Sequence, residues 1–224
     1  MCFSASASFA ASAVTSAAGV VALTGATKPA HRLLASIPLL FAIHQFAEGV
    51  LWLALSRPEH AAWARPAMFT FLSVAEVGWP ALVPLAILAF EDHPRRRRLL
   101  SALLVLGVVL AVARAYGLWV YPVSAGILGH HIQYRLDTPW ALRRTGDIAY
   151  ALVTVGSPLV SSNKLIRFMG LVMLVSLIVT KIFFYDTFIS VWCFVAAIVS
   201  ALVVLVVKRA KRKPGQAYPS AALR

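Results

Sequence analysis

Apolar residues occur along this chain in long runs, separated by short basic or turn-forming clusters. A helix needs roughly 20 mostly apolar residues to cross the hydrocarbon core of a bilayer. Seven runs meet that need, over residues 4–25, 34–55, 67–90, 99–121, 142–161, 165–185 and 187–207. The third ends at Glu91-Asp92-His93-Pro94, followed by Arg95, Arg96, Arg97 and Arg98. The seventh ends at Lys208-Arg209-Ala210-Lys211-Arg212-Lys213. Lysine and arginine concentrate in cytoplasmic loops. Four spans separate the two clusters, so both fall on the cytoplasmic side. The pattern predicts an all-α, polytopic membrane helical bundle of about seven transmembrane helices, N-terminus out and C-terminus in. Residues 1–213 would form this domain, and the Pro/Gly/Ser/Ala-rich segment 214–224 a disordered cytoplasmic tail.

Other features refine the bundle. Lys28, Arg32, Lys164 and Arg167 fall inside, whereas Arg143-Arg144 falls outside against the rule. Trp52, Trp63, Trp119, Trp140 and Trp192 fall near the outer interface, as in an aromatic belt. The first run lacks a basic leader, so no cleaved signal peptide is expected. Its Ser4, Ser8, Ser12, Ser16 and Gly19 share a face that suits close helix packing or the lining of a cavity. Pro80 and Pro84 should kink the third span. The stretch from Pro122 to Pro139 reads as an outer re-entrant or interfacial helix carrying His130, His131, Tyr134 and Arg135.

Composition agrees with a bilayer as the main partner. Hydrophobic residues make up 60% of the 224, and charged residues 13%. The latter is about half the share in a soluble domain. The net charge of +13 lies between apolar runs rather than on a face interleaved with exposed aromatics, so no nucleic-acid partner is expected. The two cysteines, Cys2 and Cys193, make neither a disulfide framework nor a metal-binding pair motif.

The informative residues are the ionisable ones inside the spans, because each costs about 2.5–3.5 kcal/mol at the bilayer centre and needs a partner or a use. His44, Gln45 and Glu48 lie on the second span, Ser73 and Glu76 on the third, and Arg114 and Tyr116 on the fourth. Asp147, Tyr150 and Thr154 follow on the fifth, Lys181 on the sixth, and Asp186, Ser190 and Cys193 on the seventh. In the predicted orientation nearly all of them fall in the outer half, with Cys2, Ser4, His130 and His131 just above. That depth pattern predicts an outward-facing polar site for a small-molecule or lipid ligand.

Three readings of this site compete. In the first, Cys2, His44, Glu48 and His131 hold a divalent metal such as zinc, which activates water against a lipid-like or small amphipathic substrate. Glu48 is then ligand or general base, and Arg114 stabilises developing negative charge. In the second, Glu48, Glu76, Arg114, Asp147 and Lys181 form the relay of a transporter or proton-linked channel. In the third, the charges pair to fix helix register, Glu48 with Arg114 or Asp186 with Lys181, in a non-enzymatic sensor or structural protein.

The opening Met1-Cys2-Phe3-Ser4-Ala5, with Ser8-Phe9 following, resembles a family of uncharacterised bacterial integral membrane proteins. The likeness continues through Ile37-Pro38-Leu39-Leu40-Phe41, Gln45, Glu48-Gly49-Val50 and Tyr121-Pro122-Val123-Ser124. It also covers Gly129-His130-His131-Ile132-Gln133-Tyr134 and Ser190-Val191-Trp192-Cys193-Phe194, and so runs to about residue 200. The resemblance implies a bacterial cell (inner) membrane protein and no particular activity.

Overall fold

The computed structural model describes residues 4–192 and 195–211. Cys2, Cys193 and the tail 214–224 lie outside the described residues. Helix α1 (Ala5–Gly25) is capped by Ser4, whose Oγ accepts from the Ala7 amide at 3.2 Å. It packs antiparallel against α2 (Pro29–Ser56). The small-residue face of α1 makes this contact. The Ser12 hydroxyl donates to the Ala42 carbonyl at 2.8 Å, and a Cβ at Gly19 would meet the Leu39 side chain. The stripe therefore serves close packing.

A rod from Pro58 to Phe90 follows: a 3-10 turn (Pro58–Trp63), α3 (Ala64–Leu72), a π turn (Ser73–Gly78) and α4 (Trp79–Phe90). The prolines act through backbone hydrogen bonds. In the π turn the Trp79 amide reaches back to the Val74 carbonyl. Continuing that register would require an amide at residue 80, and proline has none. The Ala75 carbonyl is satisfied instead by the Tyr150 hydroxyl, which donates to it at 2.7 Å. Pro84 likewise leaves the Pro80 carbonyl without its helical donor. That carbonyl faces Gly107, at a point where any Cβ would collide with it.

Helix α5 (Pro94–Val120) leads to an antiparallel hairpin, β1 (Val123–Leu128) and β2 (His131–Leu136), in which Leu128 pairs with His131. This corrects the expected helix between Pro122 and Pro139. The segment repeats every two residues, with Ile132 and Tyr134 buried and their neighbours more exposed. Gly129 takes φ of 60° in the two-residue turn, a conformation that glycine adopts without a Cβ clash. Helices α6 (Trp140–Val160), α7 (Lys164–Phe183), α8 (Phe188–Trp192) and α9 (Val195–Lys211) complete the described chain.

Among the described residues, five helical stretches are long and apolar enough to cross a membrane: Ala5–Gly25, Pro29–Ser56, Pro58–Phe90, Pro94–Val120 and Lys164–Phe183. Helix α6 carries Arg143, Arg144 and Asp147 in its first turns, and α9 is described over only 17 residues.

Two core clusters mark the ends of the bundle. One joins the end of α1 (Ala22), the start of α2 (Leu34), the end of α4 (Ile87), the starts of α5 and α7 (Leu100, Ile166) and the end of α9 (Val206). Successive long helices therefore alternate in direction, and Arg95–Arg98, Lys164 and Lys208–Lys211 share this end. The other cluster joins Leu51, Phe71, Leu118, Ile132 and Tyr134 beneath the hairpin. Trp63 and Trp119 are exposed toward that second end, but Trp52 is buried and Trp192 turns inward to donate to Ser176 Oγ at 2.9 Å. The aromatic belt is thus narrower than the sequence suggested.

Candidate functional site

The π turn, α5, α6 and α7 bring four charged side chains together. Arg114 Nη1 lies 3.0 Å from Glu76 Oε2, and Nη2 donates to Asp147 Oδ1 at 2.8 Å. Lys181 Nζ lies 3.7 Å from Asp147 Oδ2. Gly146 lets the guanidinium approach α6, since a Cβ there would sit 3.0 Å from Arg114 Nη2. The Lys181 ammonium also sits 4.3 Å from the Phe188 ring centroid, within cation–π range. Two acids and two bases balance, so each charge has a partner. These pairings replace the expected Glu48–Arg114 and Asp186–Lys181 pairs. Three of the predicted partners are engaged elsewhere: Glu48 accepts from Ser190 Oγ at 2.7 Å, Arg114 binds Glu76 and Asp147, and Lys181 binds Asp147.

The cluster forms part of the wall of a cavity of about 950 Å³. Arg135, Arg143, Arg144, Asp137 and Asp186 line its polar end beside the hairpin. Ile37, Phe41, Val83, Met169, Met173 and Val199 line its other end, next to the core cluster shared with the basic turns. Trp79, Tyr150 and Trp192 lie between. A polar end and an apolar end in one chamber suit an amphipathic occupant.

The other predicted residues divide between the cavity wall and other surroundings. His44 is fully buried and stacks on Phe71 at 3.9 Å, which stacks in turn on Tyr134 at 4.6 Å. His44 and Tyr134 both line the cavity, whereas Gln45, Glu48, His130 and His131 are not among its lining residues. His131 meets the Phe184 ring edge-on at 5.4 Å. Ser4 is the α1 cap, and Gln45 is buried. Among the described residues no group of three or more His, Cys, Asp or Glu side chains is arranged to hold a metal ion.

Sequence reasoning missed two features. Arg143 and Arg144, set aside as a topological misfit, line the cavity. Glu91, read only as the end of a span, is 1% exposed and accepts from the Ser162 amide at 2.6 Å, the His93 amide at 3.0 Å and Ser161 Oγ at 3.3 Å. Beside it Arg96 donates to the Val160 and Ser161 carbonyls at 2.6 and 2.8 Å. Burial alone would raise the Glu91 pKa, but these hydrogen bonds to the carboxylate outweigh it and hold the group below the ordinary value of 4.5. The usable signal was an acidic pair, Glu91-Asp92, beside an arginine run, with a Ser-Ser-Asn turn at 161–163.

Neither the curated proteins nor the solved structures contain a match to this chain. A family model matches residues 1–219, and the chain therefore belongs to that family, described as a family of unknown function (DUF6629).

Proposed function

We propose that this is a multi-pass protein of the bacterial cell membrane that binds a lipid-like or small amphipathic molecule in an outward-facing intramembrane cavity. The basic turns sharing one end of the bundle support a cytoplasmic placement of that end, seven crossings and an extracytoplasmic hairpin. The observation that carries the reading is the cavity itself. Its volume of about 950 Å³ grades from charged side chains near the hairpin to aliphatic and thioether side chains deep in the bundle. Arg114 and Lys181 would meet the ligand's polar group, and Met169, Met173 and Val83 its apolar body. This centre differs from the metal set expected from sequence. Of its three described members His44, Glu48 and His131, only His44 lines the cavity.

The test is binding of a fluorescent fatty acid to the purified full-length protein in mild detergent. Saturable one-to-one binding is expected. Ala151→Trp, which places an indole in the cavity from α6, should weaken it at least tenfold. Non-saturating binding, or binding indifferent to that substitution, would overturn the reading.

A further inference from the structure

The cavity has a side wall as well as an end, and α6 and α7 form part of that wall. The two helices touch closely near the basic-turn end. There a Cβ at Gly170 would lie 2.9 Å from the Leu159 amide nitrogen and 3.0 Å from Pro158 Cβ. Toward the hairpin, a salt bridge joins the two helices, Lys181 Nζ to Asp147 Oδ2 at 3.7 Å. Between pinch and bridge, Ile148 and Ala151 on α6 and Met173 and Leu177 on α7 line the cavity. Ile148 is nevertheless 64% exposed, so one side chain borders both the interior and the outer surface. The surface around it is apolar: Leu152, Val175 and Ile178 are also exposed. An apolar helix surface of this kind faces acyl chains rather than water.

We propose that the cavity loads laterally from the bilayer between α6 and α7, past Ile148, and that its ligand is a membrane phospholipid. The inference rests on reading the cavity as an amphiphile site. A lipid entering sideways keeps its head group near the interface and its chain in an apolar path throughout, so no charged group crosses hydrocarbon. The dimensions agree. From Lys181 to Met169 along α7, both of which line the cavity, the rise is about 18 Å. That reaches from the charged level deep into the bundle, as an acyl chain does from its head group. Arg143 and Arg144 line the cavity one helical turn before Asp147, where a lipid phosphate would meet them. The Lys181–Asp147 bridge lies across the path between head-group level and portal, and both side chains are partly exposed, so it can open without stranding a buried charge.

The experiment uses the full-length protein in liposomes of phosphatidylethanolamine and phosphatidylglycerol, the latter with a photoactivatable diazirine on one acyl chain. Brief illumination after mixing, followed by peptide mass spectrometry, maps where the chain lies over time. Labelling is expected first at Ile148, Ala151 and Leu177 and then at Met169 and Val83. Ile148→Trp and, separately, Leu177→Trp should slow deep labelling at least tenfold, with thermal unfolding unchanged. If deep residues label at the same rate in both variants, entry is from the hairpin end and the portal is refuted while the cavity reading stands. If no variant, nor the parent chain, labels at Met169 or Val83, the cavity reading fails as well.

Discussion

Tyr150→Phe isolates the hydrogen bond that closes the π turn. The substitution removes one oxygen and keeps the ring. In the parent chain the Tyr150 hydroxyl donates to the Ala75 carbonyl at 2.7 Å. The backbone offers no replacement, because the Trp79 amide is committed to Val74 and Pro80 has no amide hydrogen. Ala75 is 5% exposed, so its carbonyl is left dry. An unsatisfied buried acceptor costs about 1–3 kcal/mol, whereas side-chain hydrogen bonds in a membrane protein average about 0.6 and reach about 1.7. The orphaned carbonyl places this case toward the upper part of the second range, at about 1.5 kcal/mol. On a soluble-domain scale that lowers Tm by about 3–6 °C for a chain of this length. The decisive measurement is a double-mutant cycle by thermal unfolding in detergent. Pro80→Ala restores an amide that can reach Ala75, so Tyr150→Phe should cost less than half as much in that background. Equal cost in the two backgrounds would refute the account of the π turn, and no cost in either would show that the carbonyl is satisfied by other means.

Two further outcomes follow from the same kind of bookkeeping of backbone and charge. Gly107→Ala sets a Cβ against the Pro80 carbonyl, where backbone must shift, and should destabilise the protein by about 1–3 kcal/mol despite alanine's better helix propensity; unchanged or increased Tm would contradict the close approach. Glu91 has a folded pKa held below 4.5, so its carboxylate stabilises the fold fully above about pH 4.5, and this contribution is lost as pH falls through the lower folded value. Glu91→Gln should therefore lower Tm at pH 7, and the gap between variant and parent should narrow below pH 4.5; a gap independent of pH would show that the charge is immaterial.

The bilayer-length helices were legible in the sequence because the cost of leaving apolar or polar groups in the wrong medium is local. A run such as Leu99–Val120 has to meet lipid whatever its neighbours do. The basic clusters were legible for the same reason, and they do converge at one end of the bundle. Four of the polar residues singled out from the sequence, Glu76, Arg114, Asp147 and Lys181, meet in the fold. Which acid meets which base was decided only in three dimensions. The π turn rotates Glu76 relative to a regular helix, and that rotation depends on prolines, on a hydroxyl from α6 and on the absence of a side chain at Gly107. The hairpin escaped the reading because a short apolar segment with strand periodicity has the same composition as an interfacial helix, and pairing across the Gly129 turn settles the matter. The cavity, and with it the proposed side entrance, belongs wholly to tertiary structure. The cavity lies beside α6 and α7 between their close approach at Gly170 and the Lys181–Asp147 bridge. A void of that kind depends on distances between helices, and no single segment encodes it.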